Sequence, residues 1–260
     1  MRVTRELDLR KLNSATKYPS IPTYHAMGER GALLEEVVDF GGKDLIATEK
    51  VDGTNSRIIL MPDGCYLIGS REELLHARGD LIHNPALGIV ETLKQTAERI
   101  VSTFSTASDV ITVVYLETYG GKTTVAAKQY TSKREFGYRV FDVSRVSVKH
   151  LDTNLEAIAA WRENAGQTFL DERELTEFVR SLQLELTPRI QIRETLPTTI
   201  VETQMWLQSM LPDTLVSLDA KAGGKPEGLV VRTSDRGRIA KIRFEDYARH
   251  QKRAVRKKGS

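Results

Sequence analysis

The segment Thr48-Glu49-Lys50-Val51-Asp52-Gly53-Thr54-Asn55 puts a lysine at the end of a strand-like run, a carboxylate two residues on, and a glycine where the backbone must turn close to something. Alone, it describes a surface hairpin with an Asp-Gly turn. Four further segments add to it. The run 110–117 ends in Glu117, and 136–143 carries Phe141-Asp142. Glu227-Gly228 precedes the apolar Leu229-Val230-Val231 and Arg232, while Lys241 and Arg243 alternate and so share one face of a strand. Together these are the groups that nucleotidyl transfer needs: an amine to attack an α-phosphate, cations for the phosphoryl oxygens, carboxylates for a metal, and a ring to stack a base. Mg²⁺ prefers a few carboxylates plus waters and phosphates, and Glu117 and Glu227 are the candidates.

A free lysine, with a pKa near 10.4, is only about 0.04% neutral at pH 7, a penalty of roughly 4–5 kcal/mol. Lys241, Arg243, Arg71 and a metal ion around Lys50 would disfavour its ammonium form. The cations that bind a triphosphate would thus also help to free the attacking lone pair.

Such residues need a scaffold. Residues 44–60 read as strand, turn, strand, and 64–70, 110–117 and 136–143 as further strands of an antiparallel sheet. Leu87, Val90, Leu93, Ala97, Ile100 and Val101 recur at helical spacing, which predicts a helix over 86–104 packed on that sheet. Residues 31–40 (GALLEEVVDF) also read as a helix. From 150 to 210 the pattern is helical, broken around Pro188 and Pro197, and 227–244 returns to strand with Asp235-Arg236-Gly237 as a turn. The expectation is one α+β domain over residues 1–248, with a helical insertion at about 150–225 and a basic C-terminal tail at 249–260.

The composition is ordinary for a globular protein: 260 residues, 40% hydrophobic and 28% charged, which excludes disorder and collagen. The one cysteine, Cys65, excludes an intrachain disulfide or a multi-cysteine zinc site and favours a reducing compartment, so a cytoplasmic location is expected. The apolar runs fall far short of the ~20 residues of a membrane span, and the N-terminal residues alternate charge without the apolar core of an export signal. The net charge is +3, but six Lys/Arg and no acid lie within 249–258, so the remainder is acidic. That tail is suited to phosphates through counterion release, or is simply a solvated terminus. His25, His76, His83, His150 and His250 show no metal-ligand spacing, and Trp161 and Trp206 fall in helical patterns that suit a core.

In order and content, the five segments resemble the covalent nucleotidyltransferase superfamily of ATP-dependent ligases and capping enzymes, whose K-x-D-G signature stands here as Lys50-Val51-Asp52-Gly53. The resemblance spans roughly 44–245, outside the helical insertion. DNA ligases and capping enzymes usually carry arginine five positions after the lysine. Asn55 stands there in this chain, and Glu49 to Asn55 together with Gly69-Ser70-Arg71 look like the RNA-ligase branch.

The resemblance implies a nucleotidyltransferase fold, mostly antiparallel sheets flanked by helices around a nucleotide pocket. It also implies an ATP-dependent RNA ligase that uses Mg²⁺ or Mn²⁺ and joins RNA 5′-phosphate and 3′-hydroxyl ends through lysyl-AMP and an adenylylated RNA end. A DNA ligase or guanylyl-transferring capping enzyme is the alternative within the superfamily, and an inactive nucleic-acid-binding module the alternative outside it. By position, Lys50 resembles the lysyl-AMP nucleophile, with Asp52 a catalytic neighbour, Glu49 the adenine-side contact and Phe141 the stacking ring. Glu117 looks like a ribose- or metal-side carboxylate and Glu227 a metal-linked acid; Asn55 and Arg71 look like nucleotide or end-phosphate contacts, and Lys241, Arg243 and Arg232 phosphate-facing cations.

Two departures matter: position 52 is Asp where some relatives have His, and Arg243 stands where many RNA ligases have lysine. Arginine cannot donate a proton at neutral pH, so any acid role falls to Lys241. The stretch from Lys17 to Thr23 resembles an N-terminal segment that approaches the nucleotide. Lys122 and Lys128 suit RNA phosphates or plain solvation equally. The tail or the insertion is expected to grip RNA, and an end-processing enzyme is a possible partner.

Overall fold

The computed structural model describes residues 4–78, 86–192 and 194–258. Helix α1 (Leu9–Thr16) is capped by the Asp8 carboxylate, which accepts from the Arg10 and Lys11 amides. A loop leads into the small hairpin of β1 (His25–Met27) and β2 (Leu33–Val37), followed by β3 (Leu45–Lys50), β4 (Thr54–Leu60), β5 (Tyr66–Ser70) and β6 (Leu74–Ala77). Helix α2 (Ile89–Thr103) precedes two long strands, β7 (Val110–Gly120) and β8 (Phe136–Ser147). Then come α3 (Leu155–Glu163), β9 (Thr168–Phe169), α4 (Glu172–Ser181), β10 (Arg189–Gln191) and α5 (Ile200–Met210). The chain closes with β11 (Gly228–Thr233), β12 (Ile239–Arg243) and α6 (Phe244–Lys258).

Two antiparallel sheets carry the fold, a six-stranded one ordered β6-β5-β4-β7-β8-β9 and a four-stranded one ordered β10-β3-β11-β12. Strand alternation gives the large sheet two apolar faces. Ile58, Leu60, Ile68 and Val114 pack against Leu93, Ala97 and Ile100 of α2, while Ile59, Val113 and Tyr115 pack on the other side against Leu12, Ala15 and Ile158 of α1 and α3. In the small sheet Ala47, Leu229, Val231, Ala240 and Ile242 point away from the large sheet's core into a separate cluster with Leu207 of α5 and Tyr247 of α6.

Three expectations are corrected. Residues 31–40 contain a strand, β2, rather than a helix. Its Leu33 is buried and Leu34, Glu35 and Glu36 are exposed, because β2 pairs with β1 and lies beside α5 and α6 instead of covering a sheet. Strands β3 and β4 do not form a hairpin, since they pair in different sheets. The stretch 150–225 is not wholly helical: β9 extends the large sheet beyond β8, and β10 pairs with β3.

The basic tail begins inside α6. Arg249 pairs with Glu245 at 2.5 Å, the Leu33 amide donates to His250 Nδ1, and Arg253 donates to the Glu29 carbonyl. Residues 259–260, like His83, lie outside the described residues. No helix among the described residues is long and apolar enough to cross a membrane.

Candidate active site

The chain passes from the small sheet to the large one at Lys50–Thr54, between the end of β3 and the start of β4. It passes back at 185–191: the Val140 amide of β8 donates to the Glu185 carbonyl, the Thr187 amide donates to the Val140 carbonyl, and β10 then joins β3. Between the sheets lies a cavity of about 410 Å³.

Register decides which side chains enter it. Lys50 pairs with Gly228, and Gly228 with Arg243; Thr48 pairs with Val230, and Val230 with Lys241. Ile46 pairs with Arg232, and Arg232 with Ile239. Alternation sends these rows to one face, so Lys50, Thr48, Val230 and Lys241 line the cavity while Leu229, Val231 and Ala240 are buried behind it. Across the gap Asn55 pairs with Glu117, and both line the cavity. The register of β7 and β8 shifts between Tyr115 and Leu116, which pair with Asp142 and Val140. Phe141 is the extra residue of this bulge, a device that re-aims a side chain, and its ring lines the cavity 5.0 Å from that of Tyr18.

Two glycines allow this approach. A Cβ on Gly53 would lie 2.4 Å from the Thr118 carbonyl oxygen, and one on Gly228 would lie 2.1 Å from that of Ile242. The crossover is further held by Tyr130, whose hydroxyl accepts from the Asp52 amide at 2.7 Å, and by Thr124, whose hydroxyl donates to the Asp52 carbonyl.

Lys50 Nζ lies 2.5 Å from Glu227 Oε2, and Arg243 Nη1 is 3.9 Å from the other Glu227 oxygen. Burial pushes the Glu117 carboxyl up to about 8; Lys50 opposes the shift and the Glu227 charge adds to it. Burial likewise raises Glu227, again opposed by Lys50. Burial lowers Lys241, helped by the charges of Arg243 and Lys50. One end of the cavity thus concentrates acids and cations, joined by Arg71 and Asp52. The other end is closed by Tyr18, Ile21, Phe141 and Ile239.

Behind that apolar end is a polar seam. Asp142, fully buried, accepts from Arg236 Nε at 2.8 Å and from Tyr18 at 2.8 Å, and lies 3.5 Å from Arg232 Nη1. Arg232 also donates to Glu172 of α4, which takes Arg189 Nε at 2.8 Å. The seam joins β8, β11, β10, α4 and the N-terminal loop.

Two expected ligand contacts meet competing partners. Arg232 lines the cavity but is 3% exposed and lies four residues along β11 from the row of Lys50, on the order of 13 Å away, with its guanidinium engaged by Asp142 and Glu172. Glu49 also lines the cavity, and its carboxylate accepts from the Thr214 hydroxyl and the Leu215 amide. Arg243 stands beside Lys50's row but is held by Asp246 at 2.9 Å through two nitrogens. Sequence reasoning missed Thr48 and Val230, which alternation with Lys50 and Arg232 would have supplied. It also missed Thr187 and Tyr130, for which there was no signal.

Among the described residues no group of three or more His, Cys, Asp or Glu is gathered for a metal. The site's donors are the acids Glu117 and Glu227, with the buried, unpartnered Asn55 Oδ1 in the same wall as Glu117. Two carboxylates whose pKa values are raised chiefly by burial, with neighbouring acids adding to the shift, suit a hard divalent cation whose remaining ligands are waters and phosphates.

A family model described as RNA ligase matches residues 43–243. Comparison with curated protein sequences finds no match. Among solved structures the chain is similar to Naegleria gruberi RNA ligase in a mutant form with AMP and Mn, with TM-score 0.53, 14% identity, and coverage of 90% of this chain and 63% of that one. A mutant of the same protein with ATP and Mn gives TM-score 0.52 at 13% identity, again over 90% of this chain and 63% of that one. The chain therefore spans less than two thirds of these proteins, and at such identities the likeness is one of fold.

Proposed function

The chain belongs to the RNA ligase family, and from that premise we propose that it is an ATP-dependent ligase whose Lys50 becomes covalently adenylylated and which then seals RNA. The observation that carries this reading is the convergence of Lys50, Glu227, Glu117 and Lys241 on one cavity between the sheets. In the first step the Lys50 amine attacks the α-phosphorus of ATP, forming a phosphoramidate as the bond to pyrophosphate breaks. The ammonium proton must leave first; Glu227 Oε2, 2.5 Å from Nζ and less acidic than an ordinary carboxylate, is within reach of it. Lys241 and Arg71 bind the departing phosphates, and Lys241 is the proton donor available to pyrophosphate.

AMP then passes to an RNA 5′-phosphate, freeing Lys50, and an RNA 3′-hydroxyl displaces AMP to form the phosphodiester. Each step is an in-line displacement in which positioning and charge stabilisation supply most of the acceleration. Glu117 and Glu227 would hold Mg²⁺ or Mn²⁺, which when bound neutralises phosphoryl charge. The Phe141 ring and the apolar end with Tyr18 and Ile21 would take the base.

The test is intact-mass measurement after exposure to ATP and Mg²⁺, with GTP in parallel. An AMP-sized increment is expected with ATP, absent in Lys50→Ala. An unlabelled wild type, or a labelled Lys50→Ala, would overturn the reading. Sealing of 5′-phosphorylated RNA against DNA then tests the polymer.

A further inference from the structure

Two loops beside the Lys50–Thr54 crossover are zipped into one platform. The Gly223 amide donates to the Lys128 carbonyl, the Gly224 amide to the Gln129 carbonyl, and the Leu218 amide to the Tyr130 carbonyl. The Ser132 amide and the Thr131 hydroxyl donate to Asp219 Oδ2, and the Lys221 amide to Asp219 Oδ1. Thr124, Thr123 and Tyr130 bond the platform directly to Asp52 and Thr54, at the acidic and cationic end of the cavity.

Its charge is one-sided. Residues 121–135 and 219–225 hold six cations, Lys122, Lys128, Lys133, Arg134, Lys221 and Lys225, against the two acids Glu135 and Asp219. All six cations are exposed. Asp219 is turned inward onto hydroxyls and amides, so its charge is spent within the platform. Two cations of α6 differ: Arg249 is ion-paired and Arg253 is bonded to backbone, on the side of α6 that packs against β2. Between Lys122 and Lys128, and between Lys221 and Lys225, the side chains are short, and Val125 is 99% exposed.

We propose that this platform, built from 121–135 and 219–225, seats the phosphodiester backbone of the RNA strand whose end enters the cavity at Lys50. The inference rests on the ligase reading. It places the grip on RNA in two loops bolted to the nucleophile's own crossover, one of them the end of the 150–225 stretch, rather than in the C-terminal tail. A polyanion lying there releases condensed counterions from each neutralised phosphate, so affinity falls steeply with salt. Each lysine that contacts a phosphate contributes about 0.7 to the slope of log K against log salt for a single strand.

The experiment measures binding of a fluorescein-labelled, 5′-phosphorylated RNA strand to the full chain across a salt series, together with the KM for that RNA in sealing. The platform variant is Lys122→Ser, Lys128→Ser, Lys221→Ser and Lys225→Ser combined. A charge-matched variant, Lys94→Ser, Arg145→Ser, Lys149→Ser and Arg180→Ser, removes exposed cations borne by α2, α4, β8 and the turn that follows β8. The platform variant is expected to lose about three units of salt slope and to raise KM at least tenfold, while taking up AMP from ATP at the wild-type rate, which reports an intact fold. The charge-matched variant should keep both the slope and KM. A wild-type slope in the platform variant, or an equal loss in the charge-matched one, would overturn the proposal. Failure of the wild type to take up AMP would instead count against the ligase reading, because the binding measurement stands without it.

Discussion

Glu117 sits where ionisation is resisted. Burial holds its carboxyl at about 8 against an ordinary 4.5, and the neighbouring Glu227 charge adds to the effect. A carboxyl whose folded pKa exceeds its unfolded one favours the fold while protonated. Its contribution is fullest below the unfolded value of 4.5 and is lost as the pH rises toward 8. The thermal midpoint of the metal-free protein is therefore expected to fall between about pH 5 and pH 8. In Glu117→Gln that fall should be shallower, and added Mg²⁺ should flatten it in the wild type, because a divalent ion supplies the missing positive charge. Scanning fluorimetry in chelator, across pH, measures all three; equal slopes in wild type and variant would show that Glu117 is not strained.

At the level of elements, the crossover between β3 and β4 depends on Gly53. With 2.4 Å to the Thr118 carbonyl oxygen and 2.9 Å to Tyr119 Cβ, a methyl group there cannot be absorbed by a rotamer change, since one of the obstacles is backbone. Gly53→Ala should cost roughly 1–3 kcal/mol in urea unfolding and shift Lys50 and Asp52 relative to Glu117, lowering AMP uptake by more than the stability loss explains. Unchanged stability and uptake would mean that β4 moves freely away from β7.

Much of this was legible beforehand. Alternation in 239–243 placed Lys241 and Arg243 on one face, and the strands around Lys50, Glu117, Phe141 and Glu227 were foreseen. The crossover was not, because an Asp-Gly turn looks the same whether its flanking strands pair with each other or with different partners. Nor was the bulge at Phe141, since period-2 reading cannot register an extra residue. The strand at 33–37 was mistaken for a helix because LLEEVV satisfies both periods over so short a run.

For the molecule as a whole, the junction of the sheets is set by the seam around Asp142. One buried carboxylate there serves Arg236, Tyr18 and Arg232, while Glu172 serves Arg232 and Arg189. Removing one member of a buried pair leaves an uncompensated charge, typically a loss of 3–5 kcal/mol. Asp142→Asn, which keeps the shape and drops the charge, is expected to destabilise the protein by about 3 kcal/mol in urea unfolding, with a raised KM for ATP in the AMP-uptake assay. A loss under about 1 kcal/mol would show the arginines to be adequately solvated without it. No pattern in the sequence announced this seam, because its members come from five separate segments and only the tertiary fold brings them together.

The amine proposed to carry AMP ends a strand of one sheet, while the bulged ring and the Glu117 carboxylate belong to the other. A nucleotide bonded to that amine and clasped by that ring is a rivet driven through two plates. Loading and stiffness must then rise together: the charged protein would exchange its amides across residues 48–55 more slowly than the empty one, and handing AMP on to RNA would loosen the joint at the moment the product has to leave.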